Sequence, residues 1–363
     1  MEQISIKDYN IIDFISQGNF GKVYKALHKP TQTQVAIKFE KPSNFPQLEN
    51  EIKVLKTLKD QKGFPQLLDY DLSNDTKYLI MPLLGQDLYS YILSSKGSLK
   101  LSKILALGLQ CLSRIQALHK NSFIHRDIKP QQFLLDHDLK ITLIDFGLSK
   151  RYIQSNIIHI PYNENRQFIG TVGYASLNTH QGIQQSRRDD LESFCYVLSF
   201  MIYGKLPWSS SKGRKVEESE VKRMKGNVKG SELFGDNENL VSVLRYVKGI
   251  GFEETPNYEL ISDYLKQTIN DERLKFIKRV RLEEKNEIVI KRKRGKSKGG
   301  KFRRNGICRS LNDFSFVFDE DLTEVCENLP EFKNRGIVQK TASALVESNE
   351  LIDKYNCLVI YKD

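Results

Sequence analysis

The sequence predicts an α+β fold of two lobes followed by a charged C-terminal tail. Alternating segments typical of strands fill residues 1–81, helical periodicity prevails over 87–285, and a dense basic run starts at residue 291. A chain of 363 residues is long enough for one large two-lobed domain with some extra material. We therefore expect a β-rich N-lobe over 1–81, a hinge over 82–86, a helical C-lobe over 87–285 and a C-terminal extension over 286–363.

The composition excludes several classes of protein. Hydrophobic residues make up 39% and charged residues 28%, an ordinary globular balance. Because no segment approaches about 18 uncharged apolar residues and MEQISIKDYN does not resemble a signal peptide, we expect neither a membrane span nor a secretory leader. The cysteines form no CxxC pair and the histidines show no HxxxH spacing, which argues against a disulfide framework or a zinc site. A reducing compartment fits, so we expect the cytoplasm, the nucleus or both.

The first lobe begins with three strand-like segments. They are YNIIDFISQ at 9–17, KVYKALH at 22–28 and QVAIKFE at 34–40, with a glycine turn at Gly18–Gly21. The segment PQLENEIKVLKTLKD then places apolar residues at helical spacing, which predicts a helix. KYLIMPLL is an apolar strand that leads into the hinge.

The second lobe is predicted to be helical. Its clearest periodicity lies in LSKILALGLQCLSRIQALH at 101–119 and DDLESFCYVLSFMIYG at 189–204. Between them, FLLDHDLKITLI at 133–144 has the pattern of an apolar hairpin. A strand-rich first part and a helix-rich second part favour two lobes with a cleft between them.

The segment SQGNFGKV at 16–23 joins two predicted strands. Its glycines allow a backbone to approach phosphate groups, although a tight hairpin explains them equally well. Lys38 could be a strand lysine facing solvent, and Glu51 an exposed helical charge. Together they could form an ion pair in which the lysine reaches the α- and β-phosphates of a nucleotide.

Residues 123–136, FIHRDIKPQQFLLD, have the character of a loop for phosphoryl transfer. Asp127 lies in HRD and Asp145 in DFG, 18 residues later, and each taken singly could be a turn or cap residue. A transferred phosphoryl group carries spread negative charge, so its site needs cations and positioning more than a covalent catalyst. In this interpretation Asp145 holds magnesium, Asp127 orients the substrate hydroxyl and receives its proton, and Lys129 neutralises the γ-phosphate.

Taken singly, each motif allows a structural or a functional explanation. Taken together, the glycine turn, the lysine, the helical glutamate, HRD and DFG occur in one chain in the order, and on the predicted strands, helix and loops, that are typical of phosphotransferases, which favours the functional explanation. From about residue 9 to 280 the chain resembles the casein kinase 1 family of serine/threonine protein kinases. The resemblance lies in VAIKFE, FPQLENEIK, MPLLGQDL, FIHRDIKP and LIDFGLSK. Its most specific part is IPYNENRQFIGTVGYASLNTHQGIQQSRRDDLES at 160–193, where Ser176-Leu177-Asn178 stands in place of the Ala-Pro-Glu of most kinases.

This resemblance implies a bilobal protein-kinase fold that uses ATP with Mg²⁺ or Mn²⁺ to phosphorylate serine or threonine in acidic proteins. It implies catalytic roles for Asp127, Lys129, Lys38 and Glu51, and a structural role for Asp190 in bonding backbone groups of the catalytic loop. The residues expected to bind ATP are Ser16, Gln17, Gly18, Asn19, Phe20, Gly21, Val23, Ala36, Lys38, Met81, Pro82, Leu84 and Leu135. The residues expected to hold the metal ion are Asp145 and Gln132. Those expected to bind substrate anions are Arg126, Lys150, Arg166, Lys222 and Arg223, for which solvated surface charge is the alternative.

Three residues near the predicted site depart from the family pattern. Ser16 takes the first glycine position of the phosphate loop. Pro82 lacks an N–H group, but at that position adenine needs only a carbonyl oxygen that accepts a hydrogen bond. The N–H group that donates to adenine would come from Leu84. Gln132 replaces an asparagine that ligates metal, and its longer stem predicts a looser second metal and a roughly 5- to 150-fold loss of rate. Because the other catalytic residues are intact, we favour an active kinase over a pseudokinase that acts as a nucleotide-binding scaffold.

Substrate choice is expected to differ from that of the family in one respect. Gly173 replaces an arginine with which the family reads acidic or phosphorylated residues, whereas Lys222 and Arg223 are expected to keep another part of that site. We therefore expect a preference for acidic substrates with less dependence on a priming phosphate.

The net charge of +11 lies almost entirely in one tract, KRKRGKSKGGKFRR at 291–304. Without its nine basic residues, 47 basic residues remain against 45 acidic ones. The tract could serve nuclear import, bind phosphates of nucleic acid or a membrane surface, or keep a tail solvated. Its one aromatic residue is Phe302, so a base-stacking platform is not expected.

An acidic stretch with seven acidic residues and one arginine follows at 305–331. Within it, DEDLT places Glu320 three positions before Thr323, the acidic spacing that the resemblance favours in substrates. One hypothesis is that the tethered tail is phosphorylated in cis and then inhibits. The alternative is that DEDLT is the polar start of a helix. Detection of phosphate on Thr323 after incubation with ATP would separate them.

Overall fold

A computed structural model describes residues 6, 8–18, 21–41, 46–73, 76–154, 158–209 and 216–294, and the side chains among these up to residue 279. The chain divides into two compact units, Met1–Glu287 and Ile288–Asp363. Of the second unit, only the backbone at 288–294 falls within the described residues. Asn19, Phe20, Thr323 and most of the basic tract lie outside them, so the expectations for these residues remain predictions.

The N-lobe is an antiparallel five-stranded sheet with one helix. Its elements are β1 (Tyr9–Gln17), β2 (Gly21–His28), β3 (Thr33–Glu40), α1 (Leu48–Thr57), β4 (Asp69–Asp71) and β5 (Tyr78–Pro82). The strand order is β1-β2-β3-β5-β4. Alternation in β3 sends Val35, Ile37 and Phe39 to one face, while Ala36 packs with Leu48 of α1 on the other. Lys38 shares the face of Ala36, which points its side chain toward α1.

The C-lobe is built mainly from helices. Its elements are β6 (Gln86–Asp87), α2 (Leu88–Ser94), α3 (Leu101–Lys120), β7 (Phe123–Ile124), a 3₁₀ turn (Pro130–Gln132), β8 (Phe133–Leu135), β9 (Ile141–Leu143), β10 (Lys150–Arg151), β11 (Ile153–Gln154), β12 (Ile158–His159), α4 (Leu177–His180), α5 (Arg187–Tyr203), α6 (Glu218–Asn227), α7 (Gly230–Phe234), α8 (Glu238–Gly249) and α9 (Tyr258–Arg294). β8 and β9 form the predicted hairpin, with Leu134 opposite Thr142. This architecture confirms the bilobal α+β fold.

Helix α5 runs through the centre of the C-lobe and is buried along most of its length. Ser186 and Asp189 form a capping box at its start, and Gly204 ends it in the left-handed conformation with φ of 69°. α3 packs against α5 through an apolar stripe that includes Leu105, Leu112 and Ile115. This rigid pair supports the loops that carry the candidate site.

The last helix crosses the predicted domain boundary. α9 is continuous from Tyr258 to Arg294, so residue 285 lies within a helix. The boundary at 285 therefore stays a prediction. Among the helices of the described residues, none combines the length and the apolarity that a bilayer span requires.

Candidate active site

The loop after β7 and the loop after β9 bring the two predicted aspartates together. Arg126 and Asp145 have positive φ angles of 69° and 67°, a left-handed conformation that is uncommon for residues other than glycine. Such strain persists only where surrounding contacts hold it, and it concentrates at functional sites. Arg126 directly precedes Asp127, and Asp145 is itself one of the residues predicted to act in phosphoryl transfer.

Asp190 of α5 holds the first of these loops. Its carboxylate accepts hydrogen bonds from the backbone N–H groups of His125 at 2.7 Å and Arg126 at 2.9 Å, which confirms the contact expected from the sequence. It also accepts from Nε2 of His119 at 2.8 Å, and His119 Nδ1 lies 2.6 Å from the Tyr258 hydroxyl. Burial alone would raise the pKa of Asp190, but the hydrogen bond and charge of His119 keep that pKa below its usual value.

Lys38 bridges the two lobes. Its Nζ donates to Glu51 Oε2 at 2.6 Å and to Asp145 Oδ1 at 2.7 Å, so the ion pair that the sequence predicts is formed. Burial acts to lower the pKa of Lys38, but the two carboxylates outweigh it and raise that pKa. For Asp145, burial is likewise outweighed by Lys38, which lowers the pKa of the carboxyl to about 2. Asp145 is therefore ionised throughout the physiological range.

Asn50, beside Glu51 on α1, makes a further connection to the DFG segment. Its Nδ2 lies 3.1 Å from the carbonyl oxygens of Phe146 and Gly147 and 2.8 Å from that of Ser149. The backbone N–H of Phe146 also donates to Glu51 Oε1 at 3.3 Å. α1 and the DFG segment are thus joined by side-chain to backbone bonds as well as by the lysine bridge.

Two side chains of the C-lobe donate short hydrogen bonds to the Asp127 carboxylate. Lys129 Nζ donates to Asp127 Oδ2 at 2.6 Å, and Thr171 Oγ1 donates to Asp127 Oδ1 at 2.6 Å. Lys129 Nζ also lies 3.0 Å from the Thr171 hydroxyl oxygen. These bonds fix the carboxylate orientation that a group receiving a proton from a substrate hydroxyl needs.

Gln132 lies between the two aspartates and is buried. Its Nε2 donates to Asp145 Oδ2 at 3.0 Å and to Asp127 Oδ2 at 3.3 Å. An N–H donor between two carboxylates marks a place that favours positive charge, and rotation of the amide would present Oε1 there instead. Within the described residues no cluster of three His, Cys, Asp or Glu residues could hold a metal by itself. The donor set fits Mg²⁺, which commonly binds through one or two carboxylates and completes its shell with phosphate oxygens and water.

The residues predicted to contact the nucleotide come from both lobes. Val23, Ala36 and Met81 form an apolar surface on the sheet, and Leu135 is buried on β8. Pro82 ends β5 opposite Val35 in the register. Leu84 is half-buried in the hinge.

The phosphate loop is described only at its two ends. Ser16 and Gln17 are exposed at the end of β1, and the N–H of Gly18 donates to the carbonyl of Gly21 at 3.0 Å. A Cβ atom on Gly21 would overlap the carbonyl oxygen of Phe39, whereas one on Gly18 would have no neighbour within 4 Å in the part of the chain that the structure describes. Gly21 is therefore required by the packing of β2 on β3, an explanation that the sequence did not offer.

Three of the predicted anion-binding residues form a cationic cluster. Burial lowers the pKa of Arg126 to about 10, and the neighbouring charge of Arg166 adds to the shift. Lys150 has a lowered pKa because of burial and of the charges of Arg126 and Arg166. Lys150 Nζ lies 3.1 Å from Gln184 Oε1, and Arg126 Nε donates to the Leu148 carbonyl at 2.6 Å.

The two predicted anion-binding residues on α6 have a different environment. Lys222 and Arg223 are both exposed, and Arg223 pairs with Glu220 of its own helix at 2.8 Å. The α6 residue that contacts the segment after the DFG motif is Lys225, which is fully buried. Its spacing of four residues from the buried Val221 is a signal that could have identified it, because both lie on the same face of the helix.

The geometry agrees with a comparison to known families. A family model for the protein kinase domain matches residues 9–281 of the chain. This range includes both lobes, the lysine bridge and the two aspartates, and it covers most of the chain. The chain therefore belongs to the protein kinase family, whose domain is an ATP-dependent phosphotransferase.

Proposed function

We propose that the protein is an active serine/threonine kinase of the casein kinase 1 type that transfers the γ-phosphate of ATP to acidic protein substrates. The observation that supports it best is the assembled lysine bridge, in which Lys38 contacts Glu51 and Asp145 at 2.6 and 2.7 Å. An intact Lys–Glu pair and a positioned DFG aspartate are both needed for transfer in protein kinases. The sequence motifs quoted above support the narrower family.

In the proposed reaction, each residue holds or moves a specific group. Lys38 binds the α- and β-phosphates, while Asp145 and Gln132 would hold a magnesium ion, whose chemistry is to neutralise charge on the phosphates. Asp127 orients the serine or threonine hydroxyl and accepts its proton as the oxygen forms a bond to the γ-phosphorus. The bond from that phosphorus to the bridging oxygen of ADP breaks, and Lys129 neutralises the transferred group.

Gln132 provides the most direct test of activity. Replacement of Gln132 by asparagine is expected to raise the rate of phosphate transfer to casein about 5-fold or more, because a shorter stem draws the amide oxygen back to the metal position. Initial rates with Mg²⁺ and with Mn²⁺ would measure the effect. The neighbouring Gln131→Asn, which makes the same chemical change, serves as the control and should leave the rate unchanged.

Two outcomes would contradict this view of the site. Lower activity of Gln132→Asn would show that glutamine is the better ligand here. If the unmodified protein labels neither casein nor itself with either metal, the protein is a pseudokinase scaffold and not an enzyme.

Recognition of acidic substrates is proposed to depend on Arg126, Lys150 and Arg166. Beyond the effect of burial, the charge of Arg166 lowers the pKa values of both Arg126 and Lys150, and the charge of Arg126 lowers that of Lys150, which supports a concentration of positive charge there. On the α6 side, Gly173 supplies no charge and Arg223 is already paired with Glu220. An anion that binds Arg223 would therefore compete with the carboxylate of Glu220.

A pair of peptides tests this preference. A peptide with aspartate three positions before the serine should be phosphorylated with a kcat/KM within about 3-fold of its phosphoserine counterpart, since one cationic cluster serves both. Lys150→Ala should lower both values, and 0.5 M salt should do the same because exposed charges are screened. A phosphoserine peptide favoured by more than about 10-fold would show that a dedicated phosphate site remains.

A further inference from the structure

Lys225 is a buried lysine that the reaction described above does not use. It lies on α6 with no exposed surface, although the surrounding sequence VKRMKGN resembles a solvated charged turn. Burial of an ammonium group is costly unless its donors are paired. Its partners therefore indicate why the fold keeps it.

The partners are backbone carbonyls of the segment that follows the DFG motif. Lys225 Nζ donates to the carbonyl oxygens of Val172 at 2.8 Å and Ala175 at 2.5 Å. The same nitrogen lies 4.9 Å from the ring centroid of Tyr196 and 5.1 Å from that of Trp208. Trp208 itself donates to the carbonyl of Gly173 at 2.8 Å. Lys225 and Trp208 thus donate to three backbone carbonyls of one short segment, those of Val172, Gly173 and Ala175.

Lys225 Nζ also lies 3.2 Å from His180 Nε2, which itself lies 3.1 Å from the carbonyl oxygen of Val172. If Nε2 accepts a proton from Lys225, the ring carries its own proton on Nδ1, which lies 3.5 Å from Glu218. If Lys225 is neutral, its lone pair can instead accept from Nε2–H. The two backbone bonds are available in both states, but those from a charged lysine are roughly twice as strong.

Four elements pack against Lys225. Three of them carry titratable groups, namely α4 with His180, α5 with Glu192 and Tyr196, and α6 itself with Glu218, while the loop that carries Trp208 contributes a neutral aromatic ring. Burial lowers the pKa of Lys225 to about 7, and the charges of Glu192 and Glu218 oppose that shift only in part. The charge on Lys225 therefore changes near neutral pH.

The held segment connects the reaction site with a surface groove. At one end, Thr171 donates to Asp127, as described above. Farther along, Val172, Gly173 and Tyr174 line a groove of about 450 Å³. Leu206 and Trp208 line the same groove, so a displacement of the segment would change both the groove and the partner of Asp127.

We propose that Lys225 is a positioning residue that holds Thr171–Ala175 in the conformation that receives the peptide substrate. This proposal rests on the proposed kinase function. It assigns Lys225 to peptide binding rather than to ATP binding, because Lys225 contacts carbonyls of the segment whose Thr171 donates to Asp127, the residue proposed to orient the substrate hydroxyl. The positively charged form is the one that binds the carbonyls more strongly, so peptide binding weakens as the pH rises.

Steady-state kinetics of Lys225→Met test the proposal, with the exposed Lys248→Met as the matched control. We expect Lys225→Met to raise the KM for peptide at least about 5-fold and to leave the KM for ATP unchanged, because one charged donor to the segment is lost. Lys225→Arg should restore part of the peptide affinity. In the unmodified protein the KM for peptide should rise between pH 6 and 8.5, whereas in Lys225→Met it should be nearly flat. Equal changes in both KM values, or an unchanged peptide KM, would overturn the proposal.

A second measurement does not depend on catalysis. Amide hydrogen exchange at residues 171–176 should be faster in Lys225→Met than in the unmodified protein and in Lys248→Met. If the unmodified protein transfers no phosphate, the proposed function fails, and exchange still tests the positioning role. If Lys225→Met does not fold, Trp208→Phe removes the bond to Gly173 and should raise the peptide KM and accelerate exchange in the same segment. Unchanged exchange in the folded variants would contradict the positioning role.

Discussion

Replacement of Asp127 by asparagine is expected to lower the rate of phosphate transfer by about 100- to 10,000-fold, the usual contribution of a positioned general base. Asparagine keeps the size of the side chain and can still accept from the Thr171 hydroxyl, but it has no carboxylate to receive the substrate proton. It also lacks the charge that pairs with Lys129 at 2.6 Å. The variant should therefore fold normally and bind ATP while transferring almost no phosphate.

Initial rates with casein, together with a thermal melt, measure this effect. Asp138→Asn provides the matched control, since Asp138 lies exposed in the turn after β8 and should retain full activity. An Asp127→Asn protein that keeps more than about a tenth of the rate would show that Asp127 does not receive the proton.

The free energy of unfolding is expected to rise with pH between about 7 and 10 because of Lys225. The pKa of this lysine is about 7 in the folded protein, against about 10.4 for an ordinary lysine in an unfolded chain. Between these values the unfolded chain binds a proton that the folded protein does not, so raising the pH favours the folded state. Below pH 7 both states are protonated and the contribution is constant. Linkage sets an upper limit of about 4–5 kcal/mol on the gain.

Chemical denaturation of the unmodified protein and of Lys225→Met, at several pH values, isolates this contribution. The difference between their unfolding free energies should grow in favour of the unmodified protein from pH 7 to 10, because the other titrating groups are common to both. Parallel curves would show that Lys225 keeps an ordinary pKa. Since the charged form binds the carbonyls of Val172 and Ala175 more strongly, low pH should favour peptide binding at the expense of stability.

The residues that could be predicted from the sequence are those whose role is set by local motifs. Lys38 on a predicted strand and Glu51 on the next predicted helix were predicted as a pair because they stand in the order in which these motifs follow one another in protein kinases. Asp127 and Asp145 flank a short hairpin, so their proximity follows from the chain itself. These residues carry the reaction in our proposal.

The residues that the sequence did not reveal act through contacts between distant segments. Asn50 binds carbonyls that lie about 100 positions farther along the chain, and Lys225 binds carbonyls about 50 positions before it. Thr171 reaches Asp127 across 44 positions. Every residue has a backbone carbonyl, so the sequence does not indicate which carbonyl a given side chain binds until the fold is known.

The close contact of Gly21 with β3 affects how substitution data for the phosphate loop should be interpreted. A side chain at residue 21 would collide with the backbone of Phe39 whether or not a nucleotide is present. Loss of activity after such a change would report a disturbed sheet and would carry no information about phosphate contact. A Cβ atom on Gly18 would meet no atom within 4 Å among the described residues, so a substitution there leaves the sheet intact. When each residue of the phosphate loop is substituted in turn, a loss of activity at Gly18 thus reports on phosphate contact, whereas one at Gly21 does not. Equal losses of activity at the two positions would have two separate causes.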